Sequence, residues 1–229
     1  MEALDRPVWA SLAGPQAALS TGGPLARRYR ADVNVFAAAV DDGAEAQAAL
    51  AALVSPGEAI YVAQAAEIVV PPGLVRVKQG RCVQMVARRA LHGEAAGEGL
   101  RELGDADGAD MLSLARLTEP GPFAERTHTM GRFVGVHDKG RLVAMAGERF
   151  RLPGFVELSG VCVHPDARGR GLARALSTAV AAHIQARGDM PFLHAWETNT
   201  AAITLYRSLG FEVRRRMHVA VLSRQAPGP

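Results

Sequence analysis

From Leu172 to Ala186 apolar residues return every three or four positions, which predicts a helix with one buried face, ended by Gly188. The apolar run just before it, Phe155 to Val163, predicts a strand that feeds a proline and a glycine-rich turn. Phe192 to Trp196 reads as another strand, Thr200 to Leu209 as a helix closed by Gly210, and Val213 to Leu222 as a last strand. Upstream, Phe133 to Val136 and Leu142 to Ala146 flank the turn formers His137-Asp138-Lys139-Gly140, the pattern of a hairpin. Ala109 to Leu117 has helical spacing, with capping acids supplied by Asp105 to Asp110 and a stop at Pro120, Gly121 and Pro122. Nearer the start, Asp32 to Val40, Ala59 to Ala63 and Cys82 to Ala87 are strand candidates, and Gly43 to Leu53 is an alanine-rich helix closed by Pro56 and Gly57. Val69-Val70-Pro71-Pro72-Gly73 punctuates the chain, so a smaller N-terminal α/β unit is expected over residues 1–80 and a second domain over 81–229. Strand, glycine turn, helix, strand, helix, strand is an α/β order, α+β by some schemes.

Composition narrows the partners. A hydrophobic fraction of 48% in 229 residues is enough for a real core. The net charge of +3 suits an anionic ligand, but 5% aromatic content and the lack of a long like-charge block argue against nucleic acid. Cys82 and Cys162 are too few and too far apart for a disulfide framework or a metal site, which points to a reducing, cytoplasmic setting. Asp5, Arg6, Pro7 and Pro15 interrupt the first twenty residues, against a signal peptide, and no run is long and apolar enough for a membrane span.

The chemistry concentrates in Val161-Cys162-Val163-His164-Pro165-Asp166-Ala167-Arg168-Gly169-Arg170-Gly171-Leu172-Ala173. A strand delivers the chain to Gly169 and Gly171, whose backbone N–H groups can approach a ligand closely at a helix start. Arg168, Arg170 and Arg174 add positive charge there, so a diphosphate is the expected guest. An isolated string of this kind more often only connects strand to helix. Arg101 to Ala106 fits the same string, but no clear strand feeds it and Glu102, Asp105 and Asp107 would repel a diphosphate.

Arg168 to Ala173 resembles the R/Q-x-x-G-x-G/A pyrophosphate loop of the GNAT acyltransferase superfamily. Asn199 to Phe211 resembles that superfamily's N-x-x-A-x-x-L-Y-x-x-L-G-F segment, in the right order downstream, and the two-part layout is similar to glycine N-acyltransferases. The resemblance covers about Cys82 to Leu222, with Arg101 to Leu117 as the family's opening helix. It implies a mixed, mostly antiparallel sheet flanked by helices and acetyl-CoA as acyl donor, transferred directly to a primary amine. It also implies cofactor contacts from Val161, Cys162, Val163, Arg168, Gly169, Arg170, Gly171, Leu172, Ala173, Asn199 and Tyr206.

The resemblance further implies an oxyanion donor on the backbone of Val161 to Val163, a base in Glu157 and an acid in Tyr206. Glu157 reads equally well as an ion-pair partner of Arg149 or Arg151, Tyr206 also as a core aromatic, and Asn199 also as a helix cap. Cys162 is a packing residue rather than an acylated nucleophile. His194 and Trp196 either line the acceptor pocket or pack. Thr118 to Met130 and the N-terminal unit are the expected specificity loops. A monomer or homodimer is expected. The competing class is a module that binds coenzyme A without turnover. A dinucleotide fold has the wrong glycine spacing.

Overall fold

The computed structural model describes residues 1–89 and 99–225. In chain order the elements begin with α1 (Pro7–Leu12), β1 (Ser20–Gly22), β2 (Ala26–Tyr29), β3 (Ala37–Ala39), α2 (Ala44–Ala52), β4 (Ala59–Gln64) and β5 (Val75–Ala87). They continue with β6 (Leu100–Leu103), α3 (Gly108–Thr118), β7 (Phe133–Asp138), β8 (Arg141–Leu152), β9 (Phe155–Val163) and α4 (Leu172–Ala186). The chain ends in β10 (Met190–Trp196), α5 (Thr200–Ser208) and β11 (Phe211–Ser223).

Eight strands form one sheet in the order β4-β11-β5-β10-β9-β8-β7-β6, and β1-β2-β3 form a small separate sheet. Within the large sheet β9 and β10 are parallel, because α4 carries the chain over the sheet between them; the other pairs are antiparallel. The sheet is therefore mixed and mostly antiparallel, as expected. β4 and the first half of β5 precede residue 81 yet lie in the same sheet, with β4 on the outer side of β11.

One face of the sheet is covered by α4, whose Leu176, Val180 and Ile184 are buried at helical spacing against β8 and β9. Tyr206 and Phe211 close this layer beside α5. The opposite face carries the N-terminal residues, with Leu4, Val8, Leu12, Tyr29 and Phe36 packed on Phe150, Phe192 and Val86.

Three expectations need correction. The strand expected over Asp32 to Val40 shrinks to β3: Val33 and Asn34 both donate backbone N–H groups to the Arg30 carbonyl, closing a turn, and the Asp32 and Val33 carbonyls are held by Arg126 and Thr127. The strand expected from Cys82 starts at Val75, because its first half is exposed and charged and borrows order from its pairing with β11. Residues Leu100–Leu103, which overlap the rejected glycine string and the start of the stretch Arg101 to Leu117 expected as the opening helix, are an edge strand on β7; the helix begins only at Gly108, and Arg101 pairs with Asp107 at 2.6 Å.

Candidate active site

The pairing of β9 with β10 runs only from Phe155↔Met190 to Glu157↔Phe192, although both strands continue. Beyond that point they diverge. A cavity of about 360 Å³ opens there, lined by Leu158 to Val163 from β9, His194 to Trp196 from β10, and Asn199, Ala202 and Tyr206 at α5. β9 bulges where Met145 and Gly147 face Cys162 and Ser159, so one extra residue sits on β9. Gly160 takes that strain, at φ 64°, and a Cβ there would stand 3.1 Å from the Phe133 ring. The Ser-Gly pair inside an apolar strand was the available signal for this bulge.

At one end the cleft meets the glycine turn. Gly169 and Gly171 have φ of 77° and 74°, and nothing lies within 4 Å of a Cβ built on either, so backbone conformation rather than space demands glycine. No side chain caps α4, which leaves the first N–H groups of a 15-residue helix without side-chain partners. Of the expected loop residues, Arg168 and Ala173 line the cleft; Gly169, Arg170, Gly171 and Leu172 form the turn itself. Arg170 is drawn to Asp138 at 2.9 Å and Arg174 donates to Ser208 Oγ at 2.8 Å, whereas the Arg168 side chain has no partner among the described residues. Val161, Cys162 and Val163 all line the cleft.

At the other end lie Tyr206 and Asn199. Burial pushes the Tyr206 hydroxyl up to about 12, so it holds its proton through the neutral range. The Asn199 side chain accepts from the Ala202 N–H at 3.1 Å, so it caps α5 while also lining the cleft. Burial likewise raises the Cys162 thiol to about 11 and Cys82, which also faces the cleft, to about 12. Both stay protonated and poorly nucleophilic.

Glu157 is fully buried and does not line the cleft. Its two oxygens accept from Arg149 Nε and Nη2, each at 2.7 Å, and Arg149 in turn lies 5.0 Å from the Phe36 ring and 4.6 Å from the Phe150 ring. Glu157 Oε1 also receives His194 Nδ1 at 2.6 Å. Gln84 Nε2 donates to His194 Nε2 at 3.1 Å and to the Leu4 carbonyl at 2.8 Å, while Gln84 Oε1 accepts from Arg214, which holds Asp5. This network fixes the His194 proton on Nδ1. Burial alone would raise the Glu157 carboxyl, but Arg149 and His194 outweigh it and hold it at about 2. Arg149, one of the two ion-pair partners that the sequence offered for Glu157, and Gln84, which the sequence reading did not place at the site, are therefore part of its support.

A folded-state value below the unfolded one means that Glu157 contributes stability above roughly pH 5, lost as pH falls toward about 2. Acid titration of Tm should show this limb in the wild type. In Glu157→Gln the limb should flatten, and the unpaired Arg149 should cost about 3–5 kcal/mol at neutral pH by chemical denaturation.

A strand split in mid-sheet and a glycine turn onto a helix end, with a mixed, mostly antiparallel sheet around them, match the fold that the resemblance to GNAT acyltransferases implies. The sequence profile of the FR47-like protein family matches residues 133–219. The crystal structure of a GNAT-family protein from Novosphingobium aromaticivorans is 41% identical, covers 97% of this chain and 99% of its own, and superposes with a TM-score of 0.91. The chain belongs to the GNAT family of acetyltransferases. Mycothiol acetyltransferase from Thermobispora bispora is 52% identical over 56 residues, 24% of this chain. N-alpha-acetyltransferase RimI from Mycobacterium tuberculosis is 37% identical over 92 residues, 38% of this chain. The matches span 19% and 57% of those two proteins' own lengths. Among the described residues no helix is long and apolar enough to cross a membrane.

Proposed function

We propose that this protein transfers an acetyl group from acetyl-CoA to a primary amine within the split between β9 and β10. The observation that carries the reading is the bare N-terminus of α4 opening onto a cleft that ends at Tyr206. Acetyl-CoA supplies an activated thioester and a diphosphate, and the residues present fit both. The turn N–H groups at Gly169 to Ala173 and the free Arg168 would hold the diphosphate. The unpaired backbone edge of β9 over Val161 to Val163 would receive the amide-bearing arm as an added strand.

The transfer forms one C–N bond and breaks one C–S bond. The acceptor reacts as the free amine, its extra proton left in solvent, because an ammonium of pKa about 10.4 has no lone pair to offer. Backbone N–H groups at the β9 bulge would stabilise the carbonyl oxygen as charge develops on it. Tyr206 would donate its proton to the departing thiolate and recover one from the amine nitrogen, which sheds a proton as it becomes the amide; the protonated tyrosine is the form present at neutral pH. Glu157 serves this chemistry as a positioning residue rather than the base anticipated from sequence: a buried carboxylate held at about 2 by two partners takes up no proton near neutrality. It fixes Arg149 and His194, which do line the cleft. The free, buried thiols of Cys82 and Cys162 fit work in a reducing cytoplasm.

Differential scanning with acetyl-CoA, NAD and ATP tests the donor. At a hundredfold excess over Kd, acetyl-CoA should raise Tm by about 5–10 °C, and NAD should leave it in place. An equal rise with ATP would overturn the donor assignment. A rise with acetyl-CoA but no thiol release from any amine would favour a binding module without turnover.

A further inference from the structure

A second cavity of about 530 Å³ adjoins the donor cleft and shares with it a wall that includes Tyr61, Glu119, Trp196 and Val219. Lys78 and Arg116 line only this second cavity. Among the described residues, the side chains of Glu119, Lys78 and Arg116 have no hydrogen-bond or ion-pair partner. Unpaired surface charge is common, but here its placement is ordered: one carboxylate where the cavities meet, two cations beyond it. By contrast, Arg214, Arg215 and Arg216 are all ion-paired.

Two backbone features favour a binding role over chance. Glu119 ends α3 in the left-handed region, at φ 48° and ψ 54°, a position where glycine would sit without strain. Glu119 and Lys139, the latter in the turn between β7 and β8, are the two non-glycine residues at positive φ among the described residues, and of these Glu119 is the one that lines a cavity. Gly80 lies under the Trp196 indole, where a Cβ would come within 3.0 Å of the ring, so glycine lets Trp196 lie close on β5 as an apolar wall. Apart from the charged residues and Gln79 the lining is mainly apolar, with Val219, Val221, Phe123 and Trp196 among it.

We propose that the acceptor is a small primary amine bearing an anionic group, most simply a carboxylate, at its far end. Glu119 receives the ammonium where the cavities meet, Lys78 and Arg116 hold the anion, and the apolar wall takes the connecting carbons. The cavity is of the size that small molecules occupy. This assignment rests on the acyl-transfer reading and extends it to the acceptor.

The test is thiol release from acetyl-CoA with ω-amino carboxylates of increasing length, each against the ω-amino alcohol of the same length. At the best length the carboxylate should lead by about tenfold or more in kcat/KM, and the lead should collapse toward parity in the Lys78→Gln/Arg116→Gln double variant. Glu119→Gly should raise Tm by relieving the left-handed residue and still raise KM for the amine severalfold, an opposition that a purely structural role would not produce. The same pairs are compared by calorimetry on coenzyme A-loaded protein. A preference for the carboxylate in binding without thiol release would uphold the amino-carboxylate site and sink acyl transfer, leaving the molecule a ligand and not an acceptor. Amino alcohols that match the carboxylates in both assays, or a preference that survives the double variant, would overturn the acceptor class alone.

Discussion

Gly171→Glu is expected to abolish coenzyme A binding, with no ligand-induced rise in Tm and a loss of at least a hundredfold in affinity by calorimetry, at least about 2.7 kcal/mol. The substitution places a carboxylate where α4 begins, at the helix end that would otherwise meet a diphosphate. It also forces a side chain into φ 74°. Gly171→Ala separates the two effects, since it carries the same backbone strain, about 1–2 kcal/mol, without the charge. Alanine should lower stability and retain most of the binding. If glutamate binds coenzyme A as well as alanine does, the anion is not held at this turn.

Tyr206→Phe is expected to lower kcat by about a hundredfold or more while leaving the coenzyme A-induced rise in Tm in place. The ring stays, so its edge contact with Phe211, at 6.0 Å between centroids, is kept and only the hydroxyl is lost. Because burial lifts that hydroxyl to about 12, kcat of the wild type should show no loss attributable to Tyr206 deprotonation through the neutral range. Unchanged turnover in the phenylalanine variant would remove Tyr206 from the chemistry and return it to packing.

These two residues were legible in the sequence because each sits in a local pattern. A glycine turn between an apolar strand and an amphipathic helix is written in adjacent residues, and the bounds of β9 and α4 coincide with the runs that predicted them. Asn199 and Tyr206 belong to one helical repeat, and both line the cleft. What escaped is non-local. The first half of β5 reads as polar surface because its order comes from β11, more than a hundred residues away. Glu157 looked equally suited to proton transfer and to ion pairing, and the choice depends on Arg149 from a neighbouring strand and His194 from another. Gln84 gave no signal, since a single glutamine in an apolar strand acquires meaning only when β5 is laid beside β10. Asp32 to Val40 misled through its apolar content, which serves as a pinned loop end and only a short strand.

The position of β5 between β10 and β11 limits how this enzyme can be cut down or grafted. The stretch matched by the family profile, residues 133–219, contains the glycine turn and Tyr206 but not β5. A fragment trimmed to that stretch would strand β11 away from the sheet and leave the imidazole of His194 without Gln84 to hold its outer nitrogen. The smallest fragment that keeps β11 paired thus begins no later than β5, and a chimera built from residues 133–219 must carry the interior strand along with it.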